Sequence, residues 1–260
     1  MSHIHIPDGV LPLWLVVAGW VVTLALLFLS ARRLSGPDAQ RKIPLLGVMA
    51  ALMLVGMSTE FVPIAYHANL TVLAGIVVGP AMGFLAAFIV DLILALLGHG
   101  GITVVGLNTI IIGAECVLGY LIFRGLLRLL GTRPKSVAAP AAASVMVTLF
   151  ITTMMLIGVV ALSKIDPGKA RDTGALQVAT FSFKNPFQAG VVSNRVVNPE
   201  KGAMGDFTIR DSGINLGRFA AAVLLLGFIG WILEATITAA IVQFIYRIRR
   251  DLVIGVEAKS

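Results

Sequence analysis

Charge is what this sequence has least of: Asp, Glu, Lys and Arg together make up 13% of the residues, whereas 58% are hydrophobic. Soluble globular domains run nearer about 45–50% apolar and about 25% charged, so a soluble fold is excluded. There is one cysteine, Cys116. It cannot form an internal disulfide, and its place inside an apolar run points to a packing role. No HExxH, CxxC, Walker A or GxSxG pattern occurs, which removes the usual zinc-protease, nucleotide-hydrolysis and serine-hydrolase readings. Alternating segments of barrel-strand length are absent. No Lys or Arg precedes the first apolar run, so the basic region of a cleavable signal peptide is missing. The amino terminus is therefore expected to be retained, apart from removal of Met1.

Apolar runs of membrane-crossing length take up most of the chain. The expected spans are 11–31, 43–62, 70–79, 81–98, 104–123, 137–162 and 216–245. The 70–98 stretch is too long for one crossing at about 1.5 Å per residue. It is divided at Gly79–Pro80, a turn and helix-break signal. The expected fold is an all-α integral membrane protein, a bundle of about seven transmembrane helices forming a single membrane domain over 1–260. Residues 163–215 form a polar segment between the last two spans, with no run long enough to cross a bilayer.

The net charge of +7 comes from clusters between spans. Arg32, Arg33, Arg41 and Lys42 form one, Arg124, Arg128, Arg133 and Lys135 a second, and Arg247, Arg249 and Arg250 a third. Basic residues collect in cytoplasmic loops, so no nucleic-acid partner is implied. Placing all three clusters in the cytoplasm requires seven helices and an outside amino terminus, in a multi-pass protein of the cell (plasma) membrane. The amino terminus, the His67 loop, the His99 loop and the 163–215 segment then share the outer face. All four histidines of the chain fall on that side.

His3 and His5 follow closely on the amino terminus. A terminal amine, the backbone nitrogens beside it and an imidazole can chelate a nitrogen-loving divalent ion, and a planar four-nitrogen set suits Ni²⁺ or Cu²⁺. The competing reading is a solvated chain end, against which Pro7, Asp8, Gly9 and Pro12 stiffen the segment. Asp8 could lock that turn by accepting backbone hydrogen bonds. His67 is either a further imidazole ligand or an interfacial histidine bonded to a neighbouring loop. His99, in Gly98-His99-Gly100-Gly101, is a ligand or gate candidate. Asp91 and Glu115 lie inside apolar spans, where ionisable groups are costly; a polar network with Asn108 or Thr109 is the first expectation. Trp14 and Trp20 are read as interface anchors.

The stretch His5-Ile6-Pro7-Asp8-Gly9-Val10-Leu11, together with His67, Gly79-Pro80, His99-Gly100-Gly101-Ile102-Thr103, Gly106 and Asn108, resembles the CbiM/NikM family. These are the substrate-capture subunits of energy-coupling-factor transporters for cobalt and nickel. The specific motifs cover roughly residues 5–130, and the later spans are similar only in hydropathy. The resemblance implies a seven-helix subunit whose amino terminus inserts into the bundle. It also implies a metal held by the terminal amine, the backbone nitrogen and imidazole of a second-residue histidine, and a histidine after the second span, here His67. Partners implied are a transmembrane coupling subunit, two ATPase subunits and often a small accessory membrane subunit, with Ni²⁺ or Co²⁺ as transported substrate.

The sequence departs from the family pattern where Met1 and Ser2 precede His3, so His5 is not adjacent to the amine. Removal of Met1 would leave Ser2-His3 as the chelating start; its retention leaves Met1-Ser2-His3 in an amine-X-His pattern. His5 remains the competitor by alignment. Ala68-Asn69-Leu70 replaces a glycine-rich run, and 163–215 is longer than expected. From a different class, a membrane-embedded metalloenzyme would use the same histidines with Asp91 or Glu115 as acid or base.

Overall fold

In a computed structural model the described residues are 11–34, 37–59, 67–98, 101–130, 136–163 and 216–254. They form eight helices and no strand: α1 Leu13–Arg32, α2 Pro37–Ser58, α3 Thr71–Val78, α4 Pro80–Leu96, α5 Val105–Leu130, α6 Ala138–Ser163, α7 Leu216–Ile248 and α8 Arg250–Ile254. The segments Leu13–Arg32, Val105–Leu130, Ala138–Val159 and Val223–Ile248 are long and apolar enough to cross a membrane. Lys42–Ser58 and Pro80–Leu96 are shorter apolar helices.

Helix boundaries follow local chemistry. Pro12 caps α1 in an extended conformation, and its carbonyl accepts the Leu15 and Val16 amides. Helix α2 starts at Pro37, inside the connector expected between the first two spans. Proline is well tolerated in a first helical turn, where its missing N–H has no intrahelical partner. The same helix accommodates Pro44 and stops at Ser58, short of the expected end at residue 62. The break at Gly79–Pro80 is where the sequence places it. Gly79 has φ 88° and ψ 168°, a region open essentially to glycine, and Pro80 opens α4. The descending helix expected over 70–79 is thus α3, eight wholly buried residues about 12 Å long. Helix α5 runs on to Leu130 rather than ending near Phe123, and carries Arg124 and Arg128 past the apolar run.

At the centre is α5, packed against α1, α3, α4 and α6, while α6 packs against α7. Trp231 of α7 meets Phe150 and Phe228 edge-on, each with ring centroids 6.3 Å apart. Described members of the basic clusters gather at one end of the bundle. Arg33 and Lys42 line a recess with Gly79 and Pro80, and Arg124 donates to the Ile254 carbonyl at the end of α8. Leu11 and the 101–104 turn lie toward the opposite end, and the 67–70 segment lies beside the middle of α7.

Candidate metal site

Residues 67–70 are not helical, yet they run through the bundle. Ala68 and Asn69 are buried, while His67 and Leu70 are half-buried. Backbone outside a helix at membrane depth has to be satisfied by protein, because lipid offers no hydrogen bonds. Here a carboxylate does this. The Asn69 amide donates to Glu234 Oε2 at 3.4 Å and the Leu70 amide to Glu234 Oε1 at 3.1 Å. Leu70 takes φ 56°, in the left-handed region, and its carbonyl then accepts the Ala74 amide to begin α3. Thr71 Oγ1 donates to Glu115 Oε2 at 2.6 Å, and Thr152 Oγ1 donates to Glu115 Oε1 at 2.8 Å. Glu115 and Glu234 are both fully buried. On the far side, α2 presses closely on the segment: a Cβ at Gly56 would lie 2.2 Å from the Ala68 carbonyl oxygen.

A second wall is made by the approach to α5. Trp20 Nε1 donates to the Thr103 carbonyl at 2.7 Å, and the Thr23 hydroxyl to the Gly106 carbonyl. Trp20 lies seven residues into α1, so the turn before α5 sits about 10 Å below the start of α1. Trp20 is therefore an internal strut rather than an interface anchor; Trp14, exposed on α1, keeps that reading. Leu11 is buried among Val104, Leu107, Ile111 and Leu156. Leu156 stands one helical turn, about 6 Å, from Thr152, which bonds Glu115. Leu11 thus shares a buried cluster with a residue one turn from the layer that holds Glu115 and Thr71.

Of the residues singled out in the sequence, Met1, Ser2, His3, His5, Asp8 and His99 lie outside the described residues. His67 and Asn108 lie within them. Asn108 is buried on α5 beside Thr109, whose hydroxyl donates to Asp91 Oδ2 at 3.0 Å. The pairing expected for Asp91 is therefore found. Glu115 is held from α3 and α6. Two carboxylates engaged in this way do not favour the metalloenzyme reading, which needs one of them as acid or base beside an ion. Glu234, Thr71 and Thr152 were not singled out. Glu234 carries the same signal that marks Asp91 and Glu115, an ionisable residue inside an apolar run.

Among the described residues no three His, Cys, Asp or Glu side chains come together to hold a metal ion. They supply one imidazole, His67, on a segment clamped from both sides. A groove of about 470 Å³ between α1, α4, α5 and α6 is lined by Leu29, Phe84, Ile110 and Val117, with Ser30 and Arg33 as its polar members. No His, Cys, Asp or Glu among the described residues lines it.

The family model CbiM, the cobalt uptake substrate-specific transmembrane region, matches residues 5–252. The chain belongs to the CbiM family. A cobalt transport protein CbiM of Geobacter sulfurreducens is 35% identical over 135 residues, 48% of this chain and 38% of that protein. The chain thus matches well under half the length of that relative. A cobalt transport protein CbiM of Carboxydothermus hydrogenoformans is 28% identical over 211 residues, 71% of this chain and 84% of its own. Two crystal structures share the CbiM fold seen here at 18% identity. A transition metal transporter superposes with TM-score 0.68 over 97% of this chain and 96% of its own, and a truncated one with 0.66 over 95% and 99%.

Proposed function

We propose that this CbiM-family chain is the substrate-capture membrane subunit of an ATP-driven energy-coupling-factor importer for Ni²⁺ or Co²⁺. In this reading the ion is chelated by the amino-terminal residues, through the amine, backbone nitrogen and the imidazole of His3 or His5, together with His67. The observation that carries it is the burial of Leu11 against Leu107 and Leu156, next to the layer in which Glu115 and Thr71 fix the His67 segment. Residues 1–10, even fully extended, reach at most about 36 Å, and from Leu11 the clamped segment is well within that range. The names of the relatives, cobalt transport proteins, support the substrate class. Imidazole and amine nitrogens bind both ions, and intrinsic affinity rises from Co²⁺ to Ni²⁺ to Cu²⁺, so the donor set admits either.

The basic end, with Arg33, Lys42, Arg124 and the Arg249–Asp251 pair, is the cytoplasmic one in this reading. The metal end then faces outward in the plasma membrane. A transmembrane coupling subunit, two ATPase subunits and a small accessory membrane subunit complete the importer, and hydrolysis is done by the ATPases.

The deciding experiment is metal analysis and intact-mass spectrometry of protein with an untagged amino terminus. One Ni or Co per chain is expected, lost when an acetyl group or tag blocks the amine and lost in His67→Ala. His3→Ala and His5→Ala, compared in the same assay, identify the chelating imidazole. Equal binding with a blocked amine and in His67→Ala would overturn the ligand set. Co-purification with ATPase subunits tests the transporter reading separately.

A further inference from the structure

We infer that Glu234, near the middle of α7, is a positioning residue for metal capture: it holds the amides of Asn69 and Leu70 and so sets where the His67 imidazole stands. This rests on the metal-capture reading above. The geometry behind it is specific. Asn69 and Leu70 are consecutive, and their N–H groups converge on the two oxygens of one carboxylate. Successive backbone N–H groups of this kind form a cradle for an anion. A non-glycine residue at φ 56°, as Leu70 is, is strained and persists only where its surroundings over-determine it. Glu234 and, through Thr71, Glu115 supply that constraint from two different helices.

His67 is two residues from Asn69, a chain distance of no more than about 7 Å. Any rotation of the 69–70 amides is therefore passed to the imidazole. Coordinate bonds are directional, and partners that orient a ligand without touching the metal typically account for about 10–100-fold in affinity. A carboxylate fits this task better than an amide of the same shape. Glutamine would keep one acceptor oxygen and set its NH₂ group against the other backbone N–H.

The test uses full-length Glu234→Gln and wild-type protein, both with untagged amino termini, in two assays. Hydrogen–deuterium exchange of the peptide covering 67–74 is measured without metal. Ni²⁺ titration is followed by the visible d–d absorption band, which reports ligand geometry. The expected result is faster exchange at Asn69 and Leu70, a 10–100-fold loss of Ni²⁺ affinity and a shifted band, with the thermal midpoint largely kept. Glu234→Asp, which retains both oxygens, restores part of the affinity. Thr236→Val, on the exposed face of the same helix, behaves as wild type.

Unchanged exchange at 69–70 in Glu234→Gln overturns the positioning role whatever the metal does. Faster exchange with wild-type affinity and band overturns its link to capture. Failure of the wild type itself to bind Ni²⁺ or Co²⁺ sinks the metal reading alone, and the exchange arm still decides whether Glu234 holds the segment. Should Glu234→Gln not fold, Glu234→Asp carries both assays: intermediate values support the role, and wild-type values in both overturn it.

Discussion

At the scale of single residues, the bundle's interior is held by carboxylates answered by hydroxyls and amides. Glu115 accepts from Thr71 and Thr152, and Thr152 can also turn to the Thr148 carbonyl at 3.1 Å. The two ends of the interaction therefore differ in their cost of removal. Thr152→Val loses one interhelical hydrogen bond, a change averaging about 0.6 kcal/mol in membrane bundles. Glu115→Leu takes the acceptor from the buried Thr71 hydroxyl, while Thr152 still reaches the Thr148 carbonyl, and should cost about 1–3 kcal/mol. Unfolding in detergent micelles checks the order; a larger loss in Thr152→Val would contradict the network described. Such pairings are hard to read in a sequence. Asp91 with Thr109 is found because few polar residues inside the apolar runs could answer a buried acid. The roles of Thr152 and Glu234 are not legible in the sequence, because a threonine or a lone acid in an apolar run names no partner, and here the partners are 37 and 164 residues away.

At the scale of helices, two glycines on α2 separate packing from propensity. Gly47 has nothing within 4 Å of an added Cβ, whereas one at Gly56 would meet the Ala68 carbonyl oxygen at 2.2 Å. Gly47→Ala should be neutral or stabilise by up to about 1 kcal/mol, the ordinary helix-interior gain. Gly56→Ala should push the 67–70 segment away from α2, lowering both the thermal midpoint and Ni²⁺ affinity. Equal effects from the two variants would remove the close contact from the account. Gly79→Ala meets no neighbouring atom, so its expected cost, on the order of 1–3 kcal/mol, is backbone strain alone, and a thermal melt measures it. The α3–α4 break is legible in the sequence because Gly-Pro disrupts a helix through local sterics. The start of α2 is less so, since Pro37 can either end a turn or open a helix.

At the scale of the whole molecule, Leu11 stands before α1 and is buried against α5 and α6. Leu11→Ala opens a cavity of a kind that costs about 2–5 kcal/mol in protein cores. Leu11 precedes α1, so in the capture reading proposed above the loss is expected to fall on metal binding rather than on the helices of the bundle. The expected outcome is weaker Ni²⁺ binding by titration with an unchanged far-ultraviolet circular dichroism spectrum. Unaltered affinity would mean that Leu11 does not guide the terminus. The helical membrane class, the division at Gly79–Pro80 and the candidate histidines were determined by the sequence itself, because hydropathy, turn sterics and ligand chemistry are properties of residues and their near neighbours. Only the tertiary structure decided that Trp20 is an internal strut, that Glu115 joins α3 to α6, and that Glu234 holds a stretch of backbone far away in the chain. The reason is physical: an unpaired amide in an apolar interior must find an acceptor, and which helix brings that acceptor is settled by packing in three dimensions.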